Sequence, residues 1–164
     1  MKNRVYPVAL SLAVWSIPAS AAWTNVSNGL TGSVPGVAAL AIDLSVGSTL
    51  YALTSANVIF KSTDWSPINQ GLDQIVAAHA PINAVLLHPD RTDVLYLATS
   101  GYGVFRSTDG GATWAAFNDG LPFLDVRSLA LSHRDSAAHP GRRSGVLGSN
   151  TLYAGTPGGV FKIQ

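Results

Sequence analysis

The chain has 164 residues and a net charge of +1, with 47% hydrophobic and only 12% charged residues. That size suits one domain with a packed core, and the composition excludes a disordered chain or a coiled coil. The near-neutral balance leaves no polybasic field for nucleic acid or anionic lipid. Cysteine is absent and all nine acidic residues are Asp. Disulfides and Cys-ligated zinc are therefore excluded, and acid–base chemistry would fall to Asp, His or Tyr.

The chain opens with Lys2 and Arg4, then an apolar run over 5–17, then Ala19-Ser20-Ala21-Ala22. A positive start, a short apolar stretch and an A-x-A site predict a signal peptide over 1–22. The run is shorter than the roughly 20 apolar residues of a spanning helix, so no stable membrane anchor is expected after cleavage. The mature chain, 23–164, would be periplasmic or extracellular. It carries eight basic and nine acidic residues, a net charge of −1.

Downstream, three phrases recur in a fixed order. The first is Trp, three residues, Asn or Ser, one residue and Gly-Leu, beginning at Trp23, Trp65 and Trp114. The second is an apolar run beginning at Val37, Ile82 and Val126. The third is a Leu-Tyr strand with a following aromatic-basic strand, at Leu50-Tyr51, Leu95-Tyr96 and Leu152-Tyr153. Tyr51 to Tyr96 spans 45 residues, as does Asp64 to Asp109, while Tyr96 to Tyr153 spans 57 because of an insertion. Each repeat holds four short runs rich in Val, Ile, Leu, Tyr and Phe between turn residues, which is a strand signal. No segment of the mature chain shows a helical period. A four-stranded repeat of about 45 residues has the size of a β-propeller blade. The expected fold is all-β, with three four-stranded antiparallel blades over about 33–72, 73–121 and 122–164. Residues 23–30 are the candidate to complete the last blade.

Ser107-Thr108-Asp109-Gly110-Gly111-Ala112-Thr113-Trp114 fits the pattern S-x-D-x-G-x-T-W. With its flanks, it resembles the Asp-box (BNR) repeat of sialidases, sortilin-type receptors, xyloglucan-degrading enzymes and photosystem assembly factors. The resemblance spans 23–164 and implies a propeller. It implies no particular activity, because the box lies on the blade's outer hairpin, away from the usual active site. The residue chemistry agrees with a structural role. Asp-Gly-Gly favours a tight turn, and an Asp carboxylate can accept bonds from turn amides and from hydroxyls such as Ser107 and Thr113. Trp114 supplies a large ring for packing between blades. The first copy, Ser62-Thr63-Asp64-Trp65, lacks the residues equivalent to 110–113. Three blades fall short of the usual four to eight, so the expectation is a partial propeller, or one completed by self-association.

The insertion, about 132–150, carries His133, Arg134, His139, Arg142 and Arg143 on a Gly- and Pro-containing loop. Arginines on a loop suit an anionic group of a protein or a glycan. His133 and His139 flank Asp135, too small a set for a metal site; no metal and no cofactor is expected. His88-Pro89-Asp90 reads as turn chemistry, and the recurrent tyrosines read as core. Nucleophile elbow, phosphate loop and dinucleotide motifs are absent from the sequence. A glycoside hydrolase would need two carboxylates about 5–10 Å apart. Asp43, Asp73, Asp90, Asp93 and Asp125 are available, and no spacing selects a pair. The expectation is an exported, non-enzymatic binding module for a protein or glycan. The alternatives are a xyloglucanase- or sialidase-like fragment and an inactive truncated product. N-terminal sequencing of the exported protein should read from Ala22 or Trp23; an intact Met1 on soluble, folded cytoplasmic protein would rule out the leader.

Overall fold

The computed structural model describes residues 36–43, 49–132 and 150–163. These residues form three antiparallel sheets in chain order. The first sheet is β1 (Val37–Asp43), β2 (Thr49–Thr54), β3 (Ile59–Lys61) and β4 (Ser66–Pro67). After a helix α1 (Asp73–Ala78) comes the middle sheet: β5 (Ile82–Leu87), β6 (Leu95–Thr99), β7 (Gly103–Ser107) and β8 (Ala115–Ala116). The third sheet has β9 (Ser128–Leu131), β10 (Leu152–Thr156) and β11 (Gly159–Ile163). The fold is thus all-β, with blade-like sheets and no closed barrel among the described residues. Within each sheet every strand pairs with its sequence neighbour, as a meander requires.

The sheets pack face to face in chain order, and the alternation of strand residues makes this possible. Along β6, Leu95 and Leu97 point into a seam with the first sheet. Tyr96 and Ala98, one residue out of phase, point into a seam with the third. Every residue of β6 is buried. Truncating a wholly buried leucine such as Leu97 to Ala would cost about 2–5 kcal/mol. The recurrent tyrosine follows one rule: it faces the next sheet. Tyr51 and Tyr96 are buried accordingly, whereas Tyr153 is 36% exposed, because no further sheet covers it among the described residues. Its expected place in the core holds for two repeats and not for the third.

The first strands converge. β1 and β9 each pack against β5 and make no extensive contact with each other, so the arrangement stays open among the described residues. Two asparagines tie neighbouring sheets together. Asn57, at φ 60, accepts a bond from the Ile82 amide, and Asn83 Nδ2 donates to the Val126 carbonyl.

One element departs from the sequence reading. Helix α1 is not expected from the sequence. At six residues it is shorter than two turns, too short to show a period. Leu72 just before it and Ile75 within it are buried in the first seam, and His79 ends it in a left-handed conformation. The third sheet has three strands among the described residues, and its expected completion by 23–30 lies outside them.

Candidate functional site

The densest side-chain network is the hairpin from Ser107 to Trp114. Gly110 and Gly111, at φ 69 and 89, reverse the chain after β7. Gly111 is needed for its positive φ, which side chains rarely adopt, and the tip of Ile68, just after β4, lies over it. Asp109 closes the loop from inside. Its Oδ1 accepts from the Ser107 hydroxyl at 2.8 Å and from the Thr113 amide at 2.9 Å, and its Oδ2 accepts from the Thr113 hydroxyl. Ser107, itself buried, accepts from the Gly111 amide at 2.8 Å. The Thr113 hydroxyl and then its amide hold the Asp109 carboxyl below its ordinary pKa.

This hairpin docks on the first sheet. The indole of Trp114 lies in the first seam and donates from Nε1 to the Ile68 carbonyl at 2.7 Å. The Trp114 amide donates to the Gln70 carbonyl at 2.9 Å. Lys61 Nζ reaches the Gly110 carbonyl at 3.3 Å, and the Tyr51 hydroxyl reaches it at 3.4 Å. Burial, followed by the nearby Asp43 charge, pushes the Tyr51 pKa up. The earlier copy is weaker. Asp64 Oδ1 accepts from the Ser66 amide at 3.0 Å, and Trp65 takes a strained φ of 53 directly after it. Ser62 Oγ accepts instead from the Leu50 amide, back across the sheet. Bonds from Ser66 lower the Asp64 pKa, but this carboxylate has no glycine turn to organise.

A second polar cluster lies between β5 and β6. His88 Nδ1 accepts from the amides of Asp90 and Arg91, both at 3.2 Å, so the His88-Pro89-Asp90 segment does perform turn chemistry. Asn150 Nδ2 donates to Asp90 Oδ2 at 2.8 Å and lies 3.1 Å from His88 Nε2. Burial, then the Arg91 charge, lowers the His88 pKa, against the opposing pull of Asp90 and Asp93. Asn150 and Ser132 mark the root of the insertion, pinned by Ser132 N to the Thr151 carbonyl and Thr151 N to Ser132 Oγ. His133, Arg134, His139, Arg142 and Arg143 lie outside the described residues.

The other acids are dispersed. Asp43 ends β1 and is buried, Asp73 begins α1, Asp93 follows Asp90 in the same turn, and Asp125 is paired with Arg127 at 3.2 Å. Among the described residues no group of three or more His, Cys, Asp or Glu is placed to hold a metal ion. Arg106 lies 5.4 Å from the centre of the Phe117 ring, and its Nε is buried without a partner among the described residues. Sequence reasoning missed Asn150, Lys61 and Arg106, whose contacts are non-local. It could have found Asn69 and Asn118, the recurrent Asn of the Trp phrase. Their Oδ1 atoms accept from the amides of Ile59 and Val104 and fix the outer strands. Comparison with family models, curated proteins and solved structures finds no match to this chain.

Two outcomes are expected. Asp109→Ala leaves the Thr113 amide and two hydroxyls without their acceptor and should cost about 1–2 kcal/mol. Asp64→Ala should cost less, and paired thermal melts will rank them. His88 is neutral-favouring in the fold, so its contribution is full above its ordinary pKa of about 6.5 and is lost as pH falls toward its lowered folded value. The melting temperature should therefore drop on acidification from about pH 7.5 to about pH 5.5, and His88→Asn, which keeps an acceptor, should flatten that drop.

Proposed function

We propose that the protein is an exported, non-enzymatic interaction module built from Asp-box-type blades, which recognises an acidic group of a protein or glycan through the insertion in its third repeat. The observation that carries this reading is Asn150. It ties the root of the insertion to the His88–Asp90 turn of the middle sheet, so the insertion starts from the seam between two sheets. The basic residues His133, Arg134, His139, Arg142 and Arg143 lie in sequence between those anchored ends, and guanidinium groups suit carboxylates in paired geometry.

The Ser107–Trp114 hairpin supports the same reading by exclusion. Both Asp109 oxygens are engaged by the hairpin itself, which suits a scaffold role for the box. Nothing in the dispersed Asp set favours the hydrolase alternative.

The test is binding of the full-length protein to uronic-acid and sialylated glycans and to acidic peptides, with neutral counterparts as controls. Arg142→Ala with Arg143→Ala should weaken binding at least tenfold and leave the melting temperature unchanged. Unchanged binding, or release of sugar from the glycans, would overturn the reading.

A further inference from the structure

The seam between the middle and third sheets contains an apolar cleft lined by Val104, Phe117, Gly120, Leu121, Phe161 and Lys162. The same place in the other seam is occupied. There, Trp114 fills it, with its indole on the Ile68 carbonyl and its amide on the Gln70 carbonyl. Ile68 and Gln70 stand three and five residues after Trp65; Phe117 and Asp119 stand three and five after Trp114. Gly71 must be glycine because a side chain there would collide with the Trp114 carbonyl. Gly120, its counterpart, keeps a positive φ of 74 and has only open space where that carbonyl would be. The second seam thus leaves open the place that Trp114 and its backbone take in the first.

The outer edge of the third sheet asks for the same segment. In the first sheet, Ser66 and Pro67 pair with Lys61 and Phe60. In the middle sheet, Ala115 and Ala116 pair with Arg106 and Phe105. Both outer strands directly follow the Trp of the recurrent phrase. In the third sheet the matching edge residues are Lys162 and Phe161, on β11, and no strand covers them among the described residues. The remaining copy of the phrase begins at Trp23, followed by Thr24 and Asn25.

We propose that the cleft and the β11 edge bind the Trp23 phrase of a second copy of this chain: Trp23 fills the cleft, and Thr24 and Asn25 pair with Lys162 and Phe161. A second copy is required by the order of the elements. In the described sheets, the phrase that completes one sheet is followed by the opening apolar run of the next, from Trp65 to Ile82 and from Trp114 to Val126, just ahead of β9. Trp23 leads likewise to Val37, 14 residues on, compared with 17 and 12. The sheet that Trp23 completes must therefore lie beside a first sheet. Among the described residues of one chain, β1 and β9 flank β5 and make no extensive contact with each other, so the proposal takes that neighbour from another chain. The faces that would meet are apolar. The first sheet exposes Leu40 (61%) and Ile42 (47%). The third exposes Tyr153 and Val160 (74%), although the equivalent Val104 is 3% exposed in the second seam. Exposed apolar faces of this kind mark interfaces, and two copies joined head to tail form a closed pair when half a turn relates them.

The absence of cysteine makes cross-linking clean. Cross-strand neighbours have Cα atoms about 4.5–5.5 Å apart, within disulfide reach. The full chain carrying Thr24→Cys and Lys162→Cys should form an interchain disulfide, seen as a dimer on a non-reducing gel with joined peptides in the mass spectrum. Lys61→Cys with Ser66→Cys, a pair already adjacent within the first sheet, is the intrachain control. Adding Trp23→Ala should reduce the interchain product at least tenfold, and the unsubstituted protein should scatter light as a dimer. A disulfide joining the two introduced thiols within one chain, no bond while the control closes, or a monomer in light scattering would each overturn the proposal.

Discussion

The packing of the first two sheets depends on one side chain placed between them. Trp114 leaves the middle sheet, buries its ring against the first and anchors both its indole N–H and its backbone amide on carbonyls of the preceding repeat. An apolar seam by itself tolerates sliding, because hydrophobic burial has no direction. The two hydrogen bonds remove that freedom. They set the register of Trp114 against the first sheet, beside the buried Ile59, Leu95 and Phe105 of the same seam. The Asp109 network is best understood as the support of this placement, since it sets the short path from β7 to the tryptophan.

Much of this was legible in the residues. The three Leu-Tyr runs marked the second strand of each sheet, and Asp-Gly-Gly before Trp114 marked a reversal whose glycines do adopt positive φ. His88 was readable as a turn residue. What escaped was either too short or too distant in sequence. Helix α1 has no period to detect, and it forms because Leu72 and Ile75 are drawn into a seam made by other strands. The contacts of Lys61 and Asn150 join residues 49 and 60 positions apart, respectively, and no local pattern announces them. Tyr153 illustrates the converse. Its sequence context matches those of Tyr51 and Tyr96, yet burial depends on a neighbouring sheet, which is a property of the assembly and not of the strand.

The candidate ligand loop was legible only as composition. Its basic residues were visible in the sequence, and the described residues add its anchorage: Ser132, Asn150 and Thr151 close its base beside His88 and Asp90. Asn150 thereby adds two contacts to the turn that His88 organises.

The two asparagine links set the pattern of motion in the molecule. Asn57 holds the first amide of the middle sheet, and Asn83 holds the carbonyl that precedes the third. Each sheet is therefore coupled to its immediate neighbour, and β5 takes part in both links. In a single copy separated from its partner, opening should propagate as in a one-dimensional array, from the outer sheets inward. Amide hydrogens of β6 would then exchange only when the whole array opens, while those of β1 and β11 would exchange through fluctuations confined to one end.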